Sequence, residues 1–160
     1  MFQQIPGADL LYACDLLWWD RYIDEVREKF GGECWGLEAE VAKYGVSVVE
    51  ADIGGVGLGR HGVIHTGGNS GYQAINLLYF LGAKKIILLG YDMQKTGGKS
   101  HSHGDHPSGL NRSSDFSDWI ARFGPLARDL RNRGIEVVNA TRETALDCFE
   151  RVKLEQALCT

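Results

Sequence analysis

The sequence predicts an α/β protein, a Rossmann-like three-layer sandwich around a mainly parallel sheet. Three observations carry this. Apolar strand-like runs alternate with longer helical patterns along the chain. The clearest strand, Lys85-Ile86-Ile87-Leu88-Leu89-Gly90, has an unbroken apolar run, as expected of a parallel strand covered on both faces. Many of the 21 glycines fall where predicted strands end, the places at which α/β folds carry their ligand loops.

The elements follow in order. Asp9-Leu10-Leu11-Tyr12-Ala13-Cys14 reads as a buried strand stopped by Asp15. A helix is predicted over 16–30, with Trp18, Tyr22 and Val26 at helical spacing and Gly31-Gly32 ending it. Residues 34–37 and 46–50 are short strands, and the glycine-rich stretch 53–62 is a loop. Gly62-Val63-Ile64-His65 is a short strand running into Thr66-Gly67-Gly68-Asn69-Ser70-Gly71. A helix over 72–81 follows, capped by Asn69 or Ser70 and closed by Gly82. After the 85–90 strand comes a long polar loop, 92–112. Ser113-Ser114-Asp115 caps a helix reaching Asn132, and Ile135-Glu136-Val137-Val138-Asn139 is the last strand. Residues 144–149 and 152–158 read as short helices. With no linker, repeat or low-complexity tract, residues 1–160 are expected to form a single domain.

Composition excludes several classes. A net charge of −4 leaves no basic excess for phosphate backbones, so no nucleic-acid partner is expected. No apolar run approaches the roughly 18 residues of a membrane span, and the start has no signal-peptide pattern. Four scattered cysteines without a C-x-x-C pair read as reduced thiols of a cytoplasmic protein.

Four polar clusters are expected at the carboxyl ends of strands, on one rim: Asp15, 66–71, Tyr91-Asp92 and 139–141. In the 66–71 turn, glycines would let backbone amides approach a ligand, and the helix start behind it favours an anion. Gly67, Gly68, Asn69, Ser70, Gly71 and Tyr72, with Asp15, are therefore the expected nucleotide-binding residues. The spacing matches neither the G-x-x-x-x-G-K-[ST] loop nor G-x-G-x-x-G. Trp18 and Trp19 are adjacent on a helix and cannot face the same way. The reading is one in the core and the other at an edge, where it can stack on a base.

His101-Ser102-His103-Gly104-Asp105-His106-Pro107 holds three of the five histidines. Three readings stand side by side: a solvated polar loop, a divalent metal site (Zn, Mn or Mg) built by His101, His103, Asp105 and His106, or a metal-free nucleotide site. In the last, a histidine (His101, His103 or His106) is the acid or base and Asp92 orients it. The spelling H-x-H-x-D-H is also that of metallo-β-lactamase-type hydrolases. That match fails because no histidine follows His106 to complete a dinuclear site.

The stretches 67–76 and 82–93, with Leu11-Tyr12-Ala13-Cys14-Asp15, Trp18-Trp19, the histidine segment and Val137-Val138-Asn139-Ala140-Thr141, resemble a Rossmann-like family common in bacteriophages and prophages. More distantly, the small-residue turn and the 82–92 strand are similar to the family-42 sialyltransferases and to 6-hydroxymethylpterin diphosphokinase-like proteins. The resemblance implies a nucleotide or nucleotide-sugar ligand and glycosyltransferase-like ancestry. It puts the Asn69-Ser70-Gly71 turn on the donor nucleotide and the general base beyond Asp92. Those families open with a further strand and a G-P-S-L-type turn, and this chain begins after both. The resemblance therefore implies a core shortened at its N-terminus, with sheet edges covered by homo-oligomerisation. The leading expectation is a phage-type nucleotide-binding protein, a transferase if active. The alternatives are a non-catalytic protein that sequesters a nucleotide against host defence, and a metal-dependent phosphoester hydrolase.

Overall fold

The structure is a computed structural model that describes residues 2–95 and 116–159. His101, His103, Asp105, His106 and the expected cap 113–115 lie outside the described residues. The chain is α/β, with parallel strand pairing, and its contacts divide it into two compact units. The described part of the first unit is residues 2–51; that of the second is 52–95 and 116–159. No helix among the described residues is long and apolar enough to cross a membrane.

In the first unit, β1 (Leu10–Ala13), α1 (Leu16–Lys29), β2 (Glu33–Gly36) and β3 (Ser47–Val48) build a parallel sheet ordered β1-β2-β3. The buried stripe of α1 is Trp19, Ile23 and Val26, with Phe30 just past its end, at the 3–4 spacing of one helix face. Trp19 and Ile23 take the places that the sequence reading gave to Trp18 and Tyr22, and Val26 is common to both. Trp19 is fully buried because its Nε1–H finds the Ala13 carbonyl at 2.9 Å. Trp18 stays half-buried, edge-on to the rings of Phe2 and Trp19 and tilted against Tyr22. A 3₁₀ turn over Ala39–Tyr44, absent from the sequence reading, places Val41 in this core.

The second unit begins at Asp52, the second residue of β4 (Ala51–Asp52), and runs through β5 (Ile64–His65), which pairs with β4, and α2 (Ser70–Phe80) to β6 (Lys85–Leu88). Then come α3 (Phe116–Asn132), β7 (Glu136–Asn139), β8 (Glu150–Arg151) and α4 (Leu154–Leu158). β6, β7 and β8 form a parallel sheet in that order, with Ile86 opposite Val137 and Leu88 opposite Asn139. Tyr72 and Ile75 of α2, Ile86 and Leu88 of β6, and Phe123, Leu126 and Leu130 of α3 meet in one core. Among the described residues the strands are thus grouped as three small sheets.

One expected helix is not formed. Residues 144–149 are irregular and lead into β8. The Thr144 hydroxyl accepts from the Leu146 amide at 3.0 Å and donates to the Tyr91 carbonyl at 2.7 Å, giving the backbone a local partner in place of a helical one. The predicted 152–158 helix is confined to α4.

Candidate functional site: the glycine turn before the second helix

The site is built where β5 passes into α2. Asn69 is extended (φ −152°, ψ 153°), and its Oδ1 accepts from the Tyr72 amide at 2.9 Å. It is the N-cap, and α2 starts at Ser70, two residues before the predicted 72. With the Tyr72 amide capped, the Ser70 and Gly71 amides have no partner among the described residues. They point along the α2 axis, where the helix dipole favours negative charge.

The glycines have a more specific reason than general closeness to a ligand. At Gly67 (φ 53°) a Cβ would overlap the ring of Tyr72. At Gly71 a Cβ would lie 3.0 Å from the ring of Tyr91. Both positions are small because an aromatic ring of this unit lies on the backbone there. Gly68 (φ 85°) is exposed, and a Cβ there would lie 3.2 Å from Trp119 Nε1. The pyrrole edge of Trp119 therefore overhangs the open part of the turn, with Phe116 edge-on behind it at 5.7 Å.

Tyr91 ties the turn to the strand ends. Its hydroxyl donates to the Gly71 carbonyl at 2.9 Å, and its amide donates to Thr141 Oγ1 at 3.0 Å. The buried Asn139 accepts from the Thr141 amide at 3.0 Å and donates to Thr144 Oγ1 at 3.3 Å. Three of the four expected polar clusters, at 66–71, 91–92 and 139–141, are thus linked by hydrogen bonds. The Asn139–Thr141 cluster is consumed in holding β6 to β7. Asp92 is half-buried, and its carbonyl accepts from the Ala145 amide at 2.8 Å. Burial raises the phenol pKa of Tyr91, and that of Tyr72 is pushed up to about 12. Both are neutral hydrogen-bonding groups at ordinary pH.

Asp15 belongs to the first unit. It is the N-cap of α1 without a side-chain capping bond, and its Oδ2 accepts from Cys14 Sγ at 3.3 Å. Glu38 Oε1 takes the Leu16 amide instead, at 3.0 Å.

Two polar features escaped the sequence reading. The Nδ2 of Asn69 is sealed from solvent and has no hydrogen-bond partner among the described residues. His65, at the end of β5, has Nδ1 at 3.0 Å from the Val56 carbonyl and Nε2 at 4.0 Å from Asp52 Oδ2. The only trace of the second in the sequence is a histidine between an apolar strand and the glycine turn. Among the described residues no group of three or more His, Cys, Asp or Glu is arranged to hold a metal ion.

Comparison with known proteins adds no relative: no family model, no curated protein and no solved structure matches the chain.

Proposed function

We propose that this protein binds a phosphate-bearing small molecule, a nucleotide or a sugar nucleotide, at the Gly67–Tyr72 turn. The observation that carries the reading is the Asn69 Nδ2, a buried donor without an acceptor among the described residues, at the start of α2. Leaving such a donor unmet costs about 1–3 kcal/mol. A phosphate oxygen is the acceptor that the neighbouring donors also suit. The Ser70 and Gly71 amides, next in the chain, have no partner among the described residues, and Trp119 brings its indole edge to Gly68. Trp119 and Phe116 supply aromatic surface of the kind that a base or sugar ring packs against. The reading is confined to the second unit. Within it, transfer chemistry rests on the Rossmann-like resemblance, and binding rests on the geometry. Sequestration without turnover is the form of the reading that needs binding alone.

Asn69→Ser tests it. Serine keeps a capping oxygen and removes Nδ2. By calorimetry, inorganic pyrophosphate and a nucleoside diphosphate should both bind the wild type, and the variant should bind them at least about tenfold more weakly, as expected for a lost bond to a charged group. The melting temperature should stay within a few degrees of the wild type. Unchanged affinity in a folded Asn69→Ser protein would sink the proposal, as would a wild type that binds neither probe.

A further inference from the structure

We infer that His65 is the titratable group of this site and couples anion binding at the turn to proton uptake. The inference rests on the phosphate reading of the turn. A carbonyl can only accept, so the bond to the Val56 oxygen requires the proton on Nδ1. In the neutral ring Nε2 is therefore the bare nitrogen, the one that gains a proton on acidification. Asp52, on β4, is the charged group set against Nε2 among the described residues, at 4.0 Å. The loop side presents backbone: the Val56 carbonyl to Nδ1, and Gly55 against the ring face.

Gly55 also connects this imidazole to the turn. It has no side chain because a Cβ there would overlap the His65 ring. Its carbonyl accepts from the Gly67 amide at 3.4 Å. The ring and the first glycine of the turn thus flank the same residue. His65 also precedes Gly67 by only two residues, and a charge so near the turn adds to the field that an anion there would meet. The His65 side chain is 21% exposed, so water weakens the coupling only in part. The Asp52 side chain is 58% exposed and is the more strongly screened of the two charges. Protonation of His65 adds a positive charge to a site whose other attraction comes from amide dipoles. Affinity for a phosphate group should therefore be higher where the ring carries that second proton.

His65→Asn separates the charge from the architecture. The asparagine amide can still donate to the Val56 oxygen but cannot be protonated. Inorganic pyrophosphate is titrated into the full chain at pH 6 and pH 8, wild type and variant, by calorimetry. The ratio of the two dissociation constants is read at each pH, so that the titration of pyrophosphate itself cancels. The ratio should be near one at pH 8 and rise to about three- to tenfold at pH 6. The same ratio at both pH values overturns the inference while leaving the phosphate site standing. No binding of pyrophosphate to the wild type removes the site and the inference together. Should the variant fail to fold, the wild-type imidazole nitrogen resonances decide. Saturating pyrophosphate must shift the titration of His65 Nε2 to higher pH, and an unmoved titration overturns the coupling.

Discussion

The Tyr91 hydroxyl donates to the Gly71 carbonyl at 2.9 Å, and its ring lies so close that a Cβ there would sit 3.0 Å from it. This one residue joins the end of β6 to the first turn of α2. Its amide, bonded to Thr141, joins β6 to the segment after β7. The glycine turn is therefore held from the strand side by a buried phenol and from the helix side by Tyr72. Tyr91→Phe keeps the ring and removes the donor. It should lower stability by about 1 kcal/mol and leave the fold intact, read as a shift in the urea midpoint with an unchanged slope. A loss of several kcal/mol would mean that the phenol does more than tie the turn.

The turn glycines should differ sharply from an ordinary helix-ending glycine. Gly134 has φ 70° and open space where a Cβ would go. Gly134→Ala should cost about 1 kcal/mol, the conformational penalty alone. Gly67→Ala adds overlap with the Tyr72 ring to the same backbone penalty. It should cost about 3 kcal/mol or more. Equal losses in urea denaturation would show that the ring moves aside freely.

High pH should weaken the fold through its tyrosines. The Tyr72 hydroxyl accepts from the Gly57 amide at 2.5 Å and donates to the Gly57 carbonyl at 3.1 Å, and burial pushes its pKa up to about 12. The unfolded phenol titrates near 10. Between the two, the unfolded chain has lost a proton that the folded one keeps, so stability falls as pH rises. The contribution is complete below pH 10 and is lost as pH climbs through the folded value. It amounts to about 2–3 kcal/mol. Denaturation at pH 9, 10 and 11 checks this, and Tyr72→Phe should flatten the slope.

Much of this was legible in the sequence, and the residues missed share a cause. β6 was readable because Ile86-Ile87-Leu88 is apolar on both faces, and the α2 turn because Gly67 to Gly71 breaks a strand before an apolar helix. Asn69 was one of two candidates for the cap and is the residue that caps. β4 and β8 are two residues each, Ala51–Asp52 and Glu150–Arg151, and carry no alternation a pattern could detect. Residues 144–149 look helical by composition, and a single hydroxyl bonded across the chain at Tyr91 decides otherwise. Trp119 and His65 acquire their places at the turn through Gly68 and Gly55, contacts 51 and 10 residues away in sequence. Local pattern carries no record of such contacts.

The cysteines should sort by environment when alkylated. Burial, with the Asp15 carboxylate next to it, pushes the Cys14 thiol up to about 12, and burial pushes Cys148 up to about 11. The thiolate is the reactive form, so at pH 8 each holds a very small reactive fraction. The structure has no disulfide among its four cysteines, and Cys159 is the exposed one. Iodoacetamide on the native protein should therefore modify Cys159 first and leave Cys14 slowest. Mass spectrometry of peptides taken over a time course gives the order. Asp15→Asn removes the neighbouring negative charge while keeping the shape of the side chain, and should speed Cys14 only modestly, because burial is the larger cause. If Cys14 were alkylated as fast as Cys159 in the folded wild type, the β1–α1 junction would have to be far more open than its packing on Trp19 and Ala13 allows.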